Sequence, residues 1–183
     1  GRLAIAGPRR PVYAWIETNA GSRWIDPEKQ LPVTPQDTRA EVWMAIIRGA
    51  TAIGYFTHSW WPEYDEFAPD KKMIRELARL NSRITRLAPA ILAPPAGRNV
   101  QIKLEGGLDC HLKTTHYGDH LYIFGQNMDM ERREAAAVLK VEDMPEGTPV
   151  EVMDEKREIR SEEGMFADEF GPLAEHVYRI RMR

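Results

Sequence analysis

The sequence predicts two regions of different class: an α/β region with two βα units, followed by an all-β region forming a small antiparallel β-sandwich. Three observations carry this reading. Strand and helix patterns alternate up to a cluster of breakers at Pro89, Pro94, Pro95 and Gly97, and beyond it only strand and turn signals occur. The two strand-like runs of the first region are nearly continuous in apolar residues, the composition of parallel strands covered on both faces. The later strands are short and punctuated by turn residues, as in antiparallel sandwiches. The expected domains are 1–93 and 98–183.

The first strand is expected over residues 11–16, a run of Pro, Val, Tyr, Ala, Trp and Ile that ends at Glu17. A loop rich in Gly, Pro and Asp follows, from residue 19 to 33. Thr34 then offers a cap, Pro35 suits the first helical position, and Asp37 lies in the first turn. Ala40, Trp43, Ile46, Ile47 and Ala50 fall on one helical stripe, with Gly49 near the expected stop. A second apolar run, 51–58, leads into Ser59, Trp60 and Trp61. A second helix is expected over 70–87, with Ile74, Leu77, Leu80, Ile84 and Leu87 on one face. Strand, helix, strand, helix is the order of βα units with parallel strands.

The second region opens with Val100, Ile102 and Leu104 alternating against Gln101, Lys103 and Glu105, a half-buried strand. Further strands are expected at 110–115, 120–125, 135–141, 149–153, 158–160 and 176–182. Turn signals separate them, among them Gly106-Gly107, Tyr117-Gly118-Asp119 and Pro145-Glu146-Gly147.

Composition narrows the function. A formal net charge of -3 leaves no electrostatic footprint for nucleic acid. The longest apolar runs are far too short to span a bilayer, so no membrane partner is expected. With one cysteine, Cys110, no internal disulfide forms and no cysteine-rich zinc site can be built. Cys110, His111, His116 and His120 cluster, but strand alternation places Cys110 and His111 on opposite faces, and no metal or other cofactor is expected. The compartment stays open between a bacterial cytoplasm and its exterior. No signal peptide is expected, since Arg2, Arg9 and Arg10 precede no apolar stretch, and Gly1 reads like a cut site or tag scar. No phosphate loop, serine elbow or dinucleotide fingerprint occurs.

Two isolated βα units would leave hydrophobic sheet edges unpaired, which proteins avoid because such edges aggregate. A missing segment or another subunit is therefore expected as partner; the alternative is one mixed sheet joining both regions. The residues also resemble a known family. Residues 11–17 resemble the seventh strand of (β/α)₈-barrel glycoside hydrolases of clan A. Residues 39–56 resemble the helix and eighth strand that follow, particularly in beta-galactosidase-like members. Residues 170–179 resemble the last strand of the small sandwich after such barrels. The resemblance implies the last two βα units of a barrel plus a sandwich, from a retaining enzyme acting on oligo- or polysaccharide. It further implies that Glu17 stands at the nucleophile position and that the acid/base carboxyl, borne by the fourth strand, lies outside this sequence. The fragment is then expected to be inactive alone.

For Glu17 the competing role is a carboxylate that caps a loop or pairs with Arg23. Trp60 and Trp61 are candidates for a sugar-stacking platform, because an aromatic face suits the apolar side of a pyranose, or else for loop packing. Trp24 and Tyr64 are candidates to line the same cleft. His58 is a candidate to hydrogen-bond a sugar hydroxyl or the nucleophile, or to be a satisfied structural histidine. The aromatics of the second region read mostly as core. The alternative function is a non-catalytic carbohydrate-binding or structural module.

Overall fold

A computed structural model of the protein describes residues 11–182. Gly1, Arg2, Arg9 and Arg10 lie outside the described residues. The chain divides into two compact units, residues 1–77 and 78–183. The expected boundary near residues 94–97 falls inside the second unit by this division.

In the first unit, β1 (Tyr13–Glu17) and β2 (Ala52–Phe56) are joined by helix α1 (Pro35–Ile47). The strands pair in parallel, from Tyr13 opposite Ala52 to Glu17 opposite Phe56. Parallel neighbours need a crossover, and α1 supplies it. The helix starts where its sequence directs. The Asp37 N–H donates to the Thr34 hydroxyl at 3.2 Å, and the Thr34 N–H donates to the Asp37 carboxylate at 2.9 Å, a reciprocal cap ahead of Pro35. Ala40, Val42, Trp43, Ile46 and Ile47 are buried. Gly49 ends the element at φ 106°, a left-handed conformation that costs glycine little.

Strand alternation sends Ile16 to one face, where it is buried, and Tyr13, Trp15 and Glu17 to the other. On that second face Tyr13 is 56% and Trp15 60% exposed. The expectation of burial on both faces is thus met on one face only, because the described residues of this unit supply no layer over Tyr13 and Trp15.

Helix α2 (Lys71–Ile91) begins in the first unit and ends in the second. It runs through Pro89 and beyond the expected end at residue 87. Pro89 removes a single N–H one turn from the helix end, and the Leu92 N–H still donates to the Ala88 carbonyl at 3.0 Å. Its buried line is Met73, Leu80, Arg83, Leu87 and Ala90, while Ile74, expected on that face, is 42% exposed.

The rest of the second unit is antiparallel. Its strands are β3 (Val100–Leu104), β4 (Cys110–Tyr117), β5 (His120–Asn127), β6 (Ala135–Val141), β7 (Pro149–Val152), β8 (Arg157–Arg160), β9 (Met165–Phe170) and β10 (Glu175–Arg181). They form a five-stranded sheet, β4-β5-β10-β7-β8, and a three-stranded sheet, β3-β6-β9. Neither includes β1 or β2, so the mixed-sheet alternative is not the observed arrangement. Leu104, Leu139, Phe166 and Phe170 from the small sheet and Ile123, Val150, Tyr178 and Ile180 from the large one enter a single core. Strand β9 was not expected, because Asp168 and Glu169 interrupt its apolar pattern after an acidic stretch. Asp168 proves to be buried work for the fold. Arg157 donates two hydrogen bonds to it, each 2.8 Å, and the Tyr178 hydroxyl donates a third at 2.9 Å. The second half of α2 is fastened to the large sheet by Arg83, which bonds Asp154 at 3.0 Å and Glu175 at 2.5 Å, and by the Thr115 hydroxyl donating to the Ala90 carbonyl at 2.7 Å.

Candidate functional site at the C-terminal ends of β1 and β2

The chemistry-bearing residues of the first unit gather where β1 and β2 end. Glu17 is the last residue of β1, with its side chain exposed. Its backbone is fixed: the Thr38 hydroxyl, fully buried on α1, donates to the Glu17 carbonyl at 2.8 Å. One residue on, the buried Thr18 hydroxyl donates to the Phe56 carbonyl, and the Asn19 amide reaches the same carbonyl at 3.5 Å. The two strand ends are therefore stitched together by side chains just where the sheet ladder stops.

Gln30 organises the loop between β1 and α1. Its carbonyl oxygen accepts from the Gly21 and Ser22 N–H groups at 3.0 and 3.2 Å, and its amide donates to the Ser22 and Ile25 carbonyls at 2.6 and 2.7 Å. All four polar positions of one amide are used to shape a loop that has no ladder of its own. Gly21 adopts φ 110°, and a Cβ there would sit 2.0 Å from the Ser59 hydroxyl oxygen, so this crossing admits only glycine. The Trp60 N–H donates to the Gly21 carbonyl at 2.8 Å, bringing the loop after β2 alongside. Ser59 and Asp65 exchange backbone hydrogen bonds at 2.9 Å, and the Ser59 hydroxyl donates to the Trp61 carbonyl at 2.8 Å. The loop closed in this way holds a cis Trp61–Pro62 bond and borders an open cleft of about 500 Å³, lined by Asn19, Ser59, Trp61, Glu63, Tyr64 and Asp65.

Aromatic rings run in one contiguous series along the exposed face. Tyr13 meets Trp15 and Trp15 meets Phe56, each pair with centroids 5.1 Å apart. Phe56 then meets His58 edge-on at 5.8 Å, His58 meets Trp60 at 5.5 Å, and Trp60 meets Tyr64 at 4.9 Å. Gly54 lies beneath Tyr13 and Trp15; a Cβ there would come within 2.7–2.8 Å of their rings. Arg23 lays its guanidinium over both Trp24, at 4.3 Å, and Trp60, at 5.1 Å.

Five of the six expected site residues, Glu17, His58, Trp60, Trp61 and Tyr64, lie on the β1 and β2 ends or the loop after β2. Their settings differ. Trp61 and Tyr64 line the cleft, whereas Trp60 is engaged by Arg23, His58 and Tyr64 within the aromatic series. Trp24, 81% exposed, joins only through Arg23. Sequence reasoning did not assemble Tyr13, Trp15 and Phe56 into that series. The period-2 spacing of the first two was the signal available; the parallel register that sets Phe56 opposite Glu17 belongs to the tertiary structure. Thr38 gave no local signal because its partner Glu17 lies 21 residues away, and Gln30 gave none because the loop it bonds, five to nine residues upstream, has no periodic pattern.

Glu41, partly buried on α1, is held above the ordinary carboxylate range. Burial is the main cause, and the charges of Glu17 and Asp37 add to it, while the Glu17 backbone N–H favours the ionised form. Burial pushes the Cys110 thiol up to about 12, which leaves it a poor nucleophile at neutral pH. Among the described residues no group of three or more His, Cys, Asp and Glu side chains could hold a metal ion.

No known protein family and no curated protein matches the sequence. Solved structures do match. An alpha-amylase of Geobacillus thermoleovorans, in complex with acarbose, is 13% identical with a TM-score of 0.60, and the alignment covers 94% of this chain and 39% of that one. An Anoxybacillus alpha-amylase, described as a new glycosyl hydrolase subclass, is 12% identical with a TM-score of 0.57, covering 94% and 38%. An alpha-fucosidase of Thermotoga maritima, in complex with fucose, is 13% identical with a TM-score of 0.50, covering 94% and 40%. The chain thus spans about two fifths of the length of each. Along nearly its whole length, the chain has a fold shared with glycoside hydrolases.

Proposed function

We propose that this chain is the C-terminal part of a retaining glycoside hydrolase acting on oligo- or polysaccharide, with Glu17 as its nucleophile. On this reading, residues 1–93 are the last two βα units of a (β/α)₈ barrel, related to the beta-galactosidase-like members of clan A, and residues 98–183 are the small β-sandwich that follows. The carrying observation is the position of Glu17. It ends a parallel strand, on the face that bears the aromatic series, and the catalytic face of a barrel is the C-terminal end of its strands.

The chemistry then runs in two steps. The Glu17 carboxylate attacks the anomeric carbon and forms a glycosyl ester, while a second carboxyl, about 5–5.5 Å away, protonates the departing oxygen. That second group, now a carboxylate, takes a proton from water, which hydrolyses the ester and frees Glu17. Trp61 and Tyr64 border the cleft where a pyranose ring can stack. Trp60 and His58 support that wall, and Trp24 extends it through Arg23. The acid/base carboxyl comes from the barrel strands that complete the sheet, so the 183-residue chain alone is inactive. A non-catalytic carbohydrate-binding module, the alternative, is not favoured by a fold shared with glycosidases over 94% of the chain.

The test is the full-length protein assayed against panels of aryl α- and β-glycosides. Turnover is expected, with net retention at the anomeric carbon, and Glu17→Ala is expected to lower kcat by roughly 10⁴-fold. Full activity in that variant would remove Glu17 from the nucleophile role. The panel also decides the anomer, since the resemblance points to β-linked substrates and the named structures carry alpha-glycosidase names.

A further inference from the structure

A nucleophile on a strand end is only as well placed as its Cα, because the ladder that fixes the rest of the strand stops there. A misplacement near 1 Å costs on the order of a hundredfold in rate. In this protein α1 takes over from the ladder. Thr38 and Glu41 stand three positions apart on α1, so both face β1. The Thr38 hydroxyl donates to the Glu17 carbonyl at 2.8 Å, from a side chain with 0% exposure. The Glu41 carboxylate lies partly buried near the Glu17 backbone N–H, which favours its ionised form. The helix itself is anchored by its Thr34–Asp37 cap and by the fully buried Val42 and Trp43.

We propose that Thr38 and Glu41 are positioning residues for Glu17: Thr38 holds its carbonyl from α1, and Glu41 serves as the nearby acceptor for its N–H, leaving only its side chain free to turn toward substrate. The assignment of a catalytic purpose rests on the reading of Glu17 as nucleophile; the grip itself does not. Neither residue touches substrate on this view. A buried threonine would equally serve packing, but packing needs no hydroxyl. A partly buried glutamate crowded by Glu17 on β1 and Asp37 on α1 is a costly choice unless its acceptor oxygen is used.

Both parts can be tested in one full-length protein. Thr38→Val and Glu41→Leu remove the donor and the acceptor, while Thr38→Ser and Glu41→Gln keep them. Hydrogen–deuterium exchange of the peptide 13–18 is expected to quicken on the order of tenfold in the first pair and to stay near wild type in the second. Unchanged exchange in the first pair, or equal exchange in both pairs, would overturn the proposal. In turnover, the first pair is expected to lose on the order of tenfold in kcat with KM nearly unchanged, and the second pair to recover it. A kcat loss that Thr38→Ser and Glu41→Gln fail to restore would mean a packing role, and would also overturn it. Should Glu17→Ala prove fully active while exchange responds as expected, the grip stands and the nucleophile reading alone falls.

Discussion

The two units solve the burial problem in opposite ways. In the second, two antiparallel sheets empty their apolar side chains into one core, and Leu139, Phe170, Tyr178 and Ile180 have no exposed surface. In the first, α1 covers one face of a two-stranded parallel sheet and the opposite face presents Tyr13, Trp15 and Phe56 to solvent. One unit is finished by its own residues. The other carries the polar and aromatic features of a site on a face where Tyr13, Trp15 and Phe56 are exposed side by side. Stability and chemistry are thus segregated along the chain, and substitutions of similar size should have unequal consequences in the two.

The largest effect is expected from Phe170→Ala. Its ring is fully buried, lies edge-on to His176 at 4.6 Å and faces Gly125. Loss of about 3–5 kcal/mol of second-unit stability is expected by chemical denaturation. A cost under about 1 kcal/mol would mean that this unit is not self-contained, and the contrast would fail.

Asp168→Asn should cost less, about 2 kcal/mol, because its partner Arg157 is partly exposed and solvent weakens the pair. Burial alone would raise the Asp168 pKa, but hydrogen bonds from Arg157, the Glu169 N–H and Tyr178 outweigh it, and the net shift is downward. A folded pKa below the unfolded one gives stability that is fully present above the unfolded value, near ~3.9, and is lost as pH falls through the folded value. Acid titration of unfolding should therefore be flatter in Asp168→Asn than in the wild type. An unchanged acid slope would show that the network adds nothing.

The smallest effect is expected from Trp15→Ala in the 183-residue chain. Ring contacts with Tyr13 and Phe56, worth about 1 kcal/mol, are lost from an exposed face, along with the cover over Gly54. In the full-length protein, where the proposed barrel strands cover that face, the same change should cost about 3–5 kcal/mol. Equal costs in the two proteins would break the comparison, since the face would then be either covered already or never covered.

Much of the fold was legible before any coordinates. Thr34, Pro35 and Asp37 announce α1 because capping is local chemistry, readable within four residues. The stripe Ala40, Trp43, Ile46 and Ile47 announces its buried face because helical period is local too. Strand β9 was not legible, since Asp168 looks like a solvated residue until Arg157 and Tyr178 arrive from other strands. Pro89 misled for a related reason: the one helical bond it forfeits is outweighed by the burial of Leu87, Ala90 and Ile91 around it. At the site, Glu17 was legible at a strand end, and Trp61 and Tyr64 as aromatic residues in the loop that follows β2. Their supports, Thr38 and Gln30, were not: Thr38 bonds the Glu17 carbonyl 21 residues away, and Gln30 bonds a loop that has no periodic pattern.

The sequence by itself determined the order of parts, the capped helix, the strand ending in Glu17 and the aromatic residues clustered after β2. These follow from side-chain periodicity and from caps and turns, which act over a few residues. The tertiary structure decided the rest. Parallel register set Phe56 against Glu17 and joined six rings into one series, Gly21 was fixed by its crossing of Ser59, and α1 was brought to hold the Glu17 backbone. Those outcomes depend on contacts between distant segments, and only packing in three dimensions selects them.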